Sequence, residues 1–390
     1  MDPIARDCAV AVALAPLALG VYAYGVYPLL LRGLALVAPP RAAPLEPAEW
    51  PFISITVPAF NEARAIRATI ENLLAVDYPA DRREILVVSD ASTDDTDAIV
   101  GEYADRGVSL LRLAQRGGKT AAENAAGAAV RSDLIVNTDA SVRVLPHALK
   151  PLVQAFGDPT VGVASGRDLS VGDVAVEGNR GESGYVGYEM TLRAWETRVG
   201  SIIGASGCFY GFRRSVHDLQ FPDALSRDFA SVLIARERGY RSVSVDAAVC
   251  IVPRTTSLDA EFRRKIRTMA RGLSTLWYKR ALLNPVRYGT FAWMLASHKL
   301  ARWLVYLALP PAAVAMGILS LDSRWAAWTL VVVGAGGVLG LAGMRWRSGA
   351  PRPVALAGFA VASVMAGMLA WRDALLGRRR AMWDPTRRPT

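Results

Sequence analysis

Apolar and polar positions follow three different patterns along this chain. From Ala9 to Leu31 the residues are apolar and carry no formal charge, enough for one membrane-spanning helix by the rule of about 20 residues. From Phe52 to about Arg254, short β-branched runs alternate with helix-like segments. The runs are Ile53–Val57, Ile85–Val88, Val108–Leu113, Leu134–Val136 and Val161–Ala164, and the helical segments are Glu62–Leu74, Thr96–Asp105, Lys119–Val130 and Pro146–Phe156. This alternation predicts βαβ units around a mostly parallel sheet. From Glu261 to Tyr278 the apolar residues Phe262, Ile266, Met269, Leu273 and Leu276 recur every three or four positions, while Arg264, Arg267 and Arg271 share another face. That is an amphipathic basic helix suited to a membrane interface, the alternative being a solvated helix on the globular domain. Three further apolar spans follow at Leu300–Leu319, Ala326–Met344 and Val354–Trp371.

The expected organisation is therefore an N-terminal anchor over 1–38, a Pro-rich linker, an α/β domain over 52–254, interfacial helices over 255–290 and a membrane region with a basic tail over 291–390. The N-terminal run lacks a small-residue cleavage site and is long, so it reads as an anchor and not as a removed signal peptide. Arg32 and Arg41 follow it, which puts the α/β domain in the cytoplasm by the positive-inside rule. Four spans would return both termini to one face. The basic tail, Arg378–Arg380 and Arg387–Arg388, would then lie opposite the α/β domain and against that same rule, so one span is re-entrant or the count is off by one.

The composition agrees with a membrane protein: 52% of the 390 residues are hydrophobic and the net charge is +10. Basic clusters beside apolar spans favour an anionic bilayer over nucleic acid, for which no finger or basic-zipper pattern is present. The three cysteines, Cys8, Cys208 and Cys250, form neither a metal spacing nor a disulfide framework, which fits a reducing compartment.

The candidate chemistry lies at strand ends. Asp90 and Asp139 each follow a β-rich run, where open α/β sheets place ligands. Between them Arg116-Gly117-Gly118-Lys119 is a flexible basic loop suited to phosphate. Pro58-Ala59-Phe60-Asn61-Glu62 ends the first run and opens a helix, where an anion is favoured. Read alone, Asn61-Glu62 is also an ordinary capping sequence, and Asp90, Asp94 and Asp95 are also ordinary turn residues. Taken together in this order they point to a nucleoside-diphosphate site with a metal.

That order resembles the family 2 glycosyltransferases of GT-A fold, in the membrane-embedded branch that includes cellulose, hyaluronan and poly-N-acetylglucosamine synthases. The resemblance covers roughly Ile53 to Thr268. It implies a nucleotide-contacting turn at Pro58, Asn61 and Glu62, and a nucleotide-contacting Asp90 in Ser89-Asp90-Ala91-Ser92-Thr93-Asp94, where the family has Asp-Asp-Gly-Ser-Thr-Asp. It also implies a Lys119 segment running to Asn124. The metal-binding Asp-x-Asp corresponds to Asp139-Ala140-Ser141, which implies Mg²⁺ or Mn²⁺ held by Asp139 with Ser141 in place of the second aspartate. The loop Gly204–Gly211, with Ser206 and Gly207, resembles the acceptor entrance; read alone it is equally a tight turn between sheet elements. Asp228 in Ser226-Arg227-Asp228 occupies the place of the catalytic base, with Arg227 where glutamate is usual. In place of Gln-x-x-Arg-Trp the chain has Arg264-Lys265-Ile266-Arg267-Thr268, so Arg267 and Arg264 are left for the diphosphate while the stacking tryptophan is lost.

The resemblance thus implies an inverting transferase that takes a nucleotide sugar, with UDP as the expected nucleotide, and extends a polysaccharide or lipid-linked glycan at the inner membrane. Two alternatives stay open: transfer of one sugar to a lipid, and an inactive sugar-nucleotide-binding subunit. Ser297-His298-Lys299 and Arg302-Trp303 read as a headgroup anchor at a helix end, and Trp277 as an interface anchor.

Overall fold

The computed structural model describes residues 1–41, 44–171, 177–217, 221–253, 258–346 and 350–378, with side chains apart from those at 170–171, 177–186 and 258–261. The first apolar run forms helices α1 (Pro3–Val21) and α2 (Tyr27–Val37), joined without a break by a π-helical turn, Tyr22–Val26. Pro28 cannot donate a backbone hydrogen bond, and the wider turn just before it absorbs the mismatch.

The α/β region then runs β1 (Ile53–Ala59), α3 (Ile66–Leu74), β2 (Arg83–Ser89), α4 (Thr96–Gly101), β3 (Val108–Arg112), α5 (Lys119–Ala129), β4 (Leu134–Thr138), β5 (Arg143–Val144) and α6 (Leu149–Gln154). It continues through β6 (Val161–Val171), α7 (Glu177–Val199), β7 (Phe209–Arg213), α8 (Arg227–Glu237) and β8 (Arg241–Pro253). All eight strands form one sheet in the order β3-β2-β1-β4-β7-β6-β8-β5. The first four in that order pair in parallel, whereas β7 runs antiparallel to both β4 and β6. Strand order reverses between β1 and β4, so a crevice opens at their carboxyl ends. Strand β1 is buried along its whole length, with Ile53, Ile55 and Val57 in one core layer. Val88, Ile135, Tyr210 and Phe212 belong to a second layer, which extends to Tyr27 and Leu31 of the N-terminal helices.

The Gly204–Gly211 segment corrects the loop reading. Its second half, Phe209–Gly211, belongs to β7, because Tyr210 and Phe212 fill the core while Gly211 lets Phe156 approach from the other face.

After β8 come α9 (Leu258–Tyr278), the short helices α10 (Pro285–Tyr288) and α11 (Thr290–Leu295), a second π-helical turn at Ala296–Ala301, then α12 (Arg302–Ser320), α13 (Arg324–Arg345) and α14 (Arg352–Leu375). Among the described residues, four helical stretches are long and apolar enough to cross a membrane: Pro3–Val37, Thr290–Ser320, Arg324–Arg345 and Arg352–Leu375. The apolar face of α9 does not lie bare. Ala270 and Leu273 pack on Ala370 of α14, and Gly272 admits the Trp303 ring. The end of α14 therefore meets the start of α12: Trp371 Nε1 donates to Trp303 O (2.7 Å), and Gly367 lies against Tyr306. Of the basic tail only Arg378 falls among the described residues.

The expected headgroup anchor is a buried ionic joint. His298 presents Nδ1 to Glu196 (2.6 Å) and Nε2 to Glu189 (2.9 Å), Arg302 pairs with Glu189, and the Tyr27 hydroxyl donates to Glu196 (2.8 Å). Helix α7 supplies both carboxylates, and a side chain whose partners arrive from another element turns inward and not toward headgroups. Burial disfavours the Glu189 charge, but His298, Lys299 and Arg302 outweigh it and hold the carboxyl well below the usual range.

Candidate active site

Two loops at the carboxyl ends of β1 and β2 are stitched together by side chain–backbone bonds. Asn61 takes a left-handed conformation (φ 52°) and accepts from Thr93 N at 2.8 Å, while its own N–H donates to Ser92 Oγ. Glu62 N donates to Thr96 Oγ1 and Ala63 N to Asp94 Oδ2. Ala91, at the position of the family's glycine, is also left-handed (φ 58°), a conformation costly for a residue with a Cβ. Pro58 is buried within β1.

Asp90 is buried, and both its oxygens are engaged: Gly117 N donates to Oδ1 (2.7 Å) and Gly118 N to Oδ2 (2.8 Å). Asp90 therefore shapes the basic loop. Gly118 has φ 90°, and a Cβ on Gly117 would stand 2.6 Å from that of Ala121, so both glycines are required by geometry. Arg116 stacks over the Phe60 ring at 3.8 Å, and an open cleft of about 520 Å³ runs past Gly117 to Asn124 and Phe221.

The loop delivers Lys119 to the centre of the site. Its Nζ donates to Asp139 Oδ1 (2.5 Å) and Gly207 O (2.8 Å) and lies 3.9 Å from Glu123 Oε1. Burial disfavours this ammonium, but the surrounding Asp139, Glu123 and Asp228 prevail and raise its pKa. Burial pushes Glu123 up to about 7, with Lys119 opposing and Asp228 adding to the shift. Gly207 forms the opposite wall: a Cβ there would stand 2.9 Å from Asp228 Oδ2. Asp228 sits in the first turn of α8, with Oδ1 held by the Ser226 hydroxyl at 2.6 Å. Lys119, Asp139, Gly207 and Asp228 are thus brought together from four separate stretches of chain.

Other candidates have different surroundings. The Ser206 hydroxyl is buried and held between the two oxygens of Asp168 (2.6 and 2.7 Å), so it braces the loop. Ser141 lies half-buried beyond Asp139, and Arg264 and Arg267 lie half-buried on α9. Arg271, one turn beyond Arg267, reaches the domain, donating to Thr120 Oγ1 (2.5 Å) and to Leu225 O. The step from Arg264 to Arg267 to Arg271 already placed it on the same face, and its sequence gave no sign that this face meets the domain. Arg227 is buried, bonds Asn124 Oδ1 and stacks on Phe221 at 4.8 Å, tying α8 to α5. Glu123 was also missed, although its i,i+4 relation to Lys119 is a readable signal.

A divalent cation fits here only as a partial site. Lys119 takes one oxygen of Asp139, the other remains for a hard cation, and no group of three His, Cys, Asp or Glu ligands occurs among the described residues. Diphosphate oxygens and water would complete the shell.

Residues 54–220 match the Glycosyl transferase family 2 domain. The chain is 30% identical over 163 residues to a β-monoglucosyldiacylglycerol synthase of Synechocystis, covering 40% of this chain and 33% of that one. It is 26% identical over 255 residues to an N-acetylglucosaminyltransferase of Mesorhizobium japonicum, covering 59% and 58%. The chain thus spans less than two thirds of the length of either curated relative. Among solved structures, a mannosyltransferase of Pyrobaculum calidifontis, in complex with GDP-Man and Mn²⁺, superposes with a TM-score of 0.70 at 22% identity, covering 94% of this chain and 99% of that one. The likeness in fold extends through the apolar helices as well as the sheet. Residues 54–220 thus carry the family 2 glycosyltransferase match, within a GT-A fold joined to helices long and apolar enough to cross a membrane.

Proposed function

We propose that this chain is an inverting membrane glycosyltransferase, moving a sugar from a nucleotide sugar to a hydroxyl of a lipid-linked acceptor or growing glycan. The observation that carries this reading is the meeting of Asp139, Lys119 and Asp228 around Gly207.

In this reading Phe60, Asn61 and the Asp90-braced loop receive the nucleotide, and the Lys119 ammonium lies against the diphosphate. A divalent cation on Asp139, Mg²⁺ or Mn²⁺, would neutralise charge on the departing nucleotide. Asp228 Oδ2 accepts the acceptor's hydroxyl proton as that oxygen bonds to the anomeric carbon, while the sugar–phosphate bond breaks on the opposite face. The Ser226 hydroxyl holds Oδ1 and so fixes which oxygen faces the acceptor. One displacement inverts the anomeric centre.

The relatives' names motivate glucosyl and N-acetylglucosaminyl donors and a lipid acceptor; the Pyrobaculum protein adds GDP-mannose to the panel. The domain is assigned to the cytoplasmic face of the inner membrane. Because α14 packs along α9 from Phe359 to Ala370 and ends beside Trp303, the C-terminus is assigned to that same face, with α14 as the helix that does not complete a crossing. Thr268 is exposed on α9, which favours transfer of one sugar over polymer synthesis.

The test is nucleotide release by purified protein in lipid, across UDP sugars and GDP-mannose with Mg²⁺ or Mn²⁺, beside Asp228→Asn. Turnover with one donor, reduced about 10²- to 10⁴-fold in the variant with donor binding retained, is expected. Undiminished turnover in Asp228→Asn removes it as the base, and product chain length separates single transfer from polymerisation.

A further inference from the structure

The ionic joint beneath the site has cations left over. His298 faces carboxylates through both ring nitrogens, Nδ1 toward Glu196 and Nε2 toward Glu189. With Arg302 it engages Glu189 and Glu196, the joint's two carboxylates among the described residues. Arg193 of α7 and Lys299 of the π-helical turn stand on this joint in excess. Neither forms an ion pair among the described residues, and they are close enough for their charges to oppose each other. Arg193 has one long contact, Nη1 to Ser165 Oγ at 3.5 Å, and both side chains are half-buried.

Both cations border the loop that carries Gly207. The Lys299 Cε lies 3.6 Å from where a Cβ of Gly204 would stand. Ser165 Oγ, beneath Arg193, accepts from Ser206 N at 2.8 Å. Gly207, next in the chain, touches Asp228. Lys299 belongs to a helical stretch of 31 residues that is apolar enough to enter the bilayer, so this corner is where the site meets lipid. Glu189 and Glu196 act on Lys299 but are shared with His298 and Arg302, so positive charge is in excess at this corner, and an arriving phosphate balances it through charge-assisted hydrogen bonds.

We propose that Arg193 and Lys299 bind the phosphate of the acceptor, a membrane lipid carrying its reactive hydroxyl beyond a phosphate ester. The inference deepens the proposed function: it makes the acceptor an anionic phospholipid or phosphate-linked glycolipid, in contrast to an uncharged glyceride. The lipid phosphate rests on the two cations and the hydroxyl reaches past Gly207 to Asp228.

The test is lipid retention by the detergent-purified full chain, read by native mass spectrometry, with dioleoylphosphatidylglycerol, dioleoylglycerol and soluble glycerol 3-phosphate as probes. Phosphatidylglycerol should be retained, dioleoylglycerol at least about tenfold less, and glycerol 3-phosphate should compete only weakly. Lys299→Gln and Arg193→Gln should each lower retention about tenfold or more. Lys299→Arg should restore it, and the surface control Arg238→Gln should leave it unchanged. Nucleoside diphosphate binding, measured on the same samples, reports folding and the donor site independently of turnover. Equal retention of both lipids, or no effect of either substitution with nucleotide binding intact, overturns the proposal. Competition by glycerol 3-phosphate as strong as by the lipid replaces a lipid site with a free-phosphate site. Weakened nucleotide binding in the variants that Lys299→Arg restores assigns these cations to the donor and also overturns it. Loss of acceptor-independent nucleotide binding in wild type would instead be a failure of the proposed function.

Discussion

Lys119 and His298 each lie between carboxylates at the heart of an ionic cluster, yet the two clusters are built for opposite ends. Around His298 every near carboxylate has a matched cation, and the partners come from α2, α7 and the helix bearing Arg302. Around Lys119 one ammonium serves Asp139 and a backbone carbonyl, with Glu123 and Asp228 close by and Arg227 and Arg271 acting on them from α8 and α9. The first arrangement locks elements together. The second gathers carboxylates and a lysine beside the carboxyl ends of the strands, where an open α/β sheet receives a ligand.

The sharpest way to break this contrast is Glu189→Ala. It leaves His298 and Arg302 buried without their carboxylate and should cost about 3–5 kcal/mol, read as lost thermal stability in detergent with nucleotide binding unchanged in the surviving fold. An effect confined to nucleotide binding would erase the distinction between the clusters. Next comes pH. Glu123 is raised to about 7 from an ordinary carboxyl value, so the folded state favours its protonated form. Its penalty is absent at low pH and grows as pH rises toward and past 7, on the order of 3 kcal/mol. Thermal scans of ligand-free protein should show that decline, and Glu123→Gln should flatten it.

Lys119→Met removes the cation that bonds Asp139. Affinity for a nucleoside diphosphate, measured by calorimetry, should fall roughly tenfold to a hundredfold, and unchanged affinity would take Lys119 off the diphosphate. The smallest effect is expected at the rim. Ala91→Gly relieves a left-handed alanine and should raise stability by about 1 kcal/mol, a gain absent if the loop is already relaxed.

The α/β alternation from Ile53 to Val136 was legible because β1, β2 and β3 each pair in parallel with a neighbour joined by one helix, β4 then joins β1 in the same sense, and the turns carry their own bonding partners. The ends of β1, β2 and β4 could be read from Asn61, Asp90 and Asp139 for the same reason. The rest depends on partners distant in sequence. Strand β7 hides in a glycine-rich stretch because its neighbours β4 and β6 are reached only after folding. Helix α7 carries Glu189 and Glu196, whose meaning rests on Tyr27, His298 and Arg302, each over a hundred positions away. Arg227 departs from the family's pattern without an evident reason in sequence; its bond to Asn124 and its stacking on Phe221 supply one.

The reach of Arg271 has a mechanical consequence. Its guanidinium holds Thr120, the residue directly after Lys119, while the opposite side of α9 is wedged against Trp303 and Ala370. Helix α9 therefore acts as a lever between the apolar bundle and the first turn of α5. A roll of that lever, as the apolar bundle shifts, is delivered one residue from Lys119.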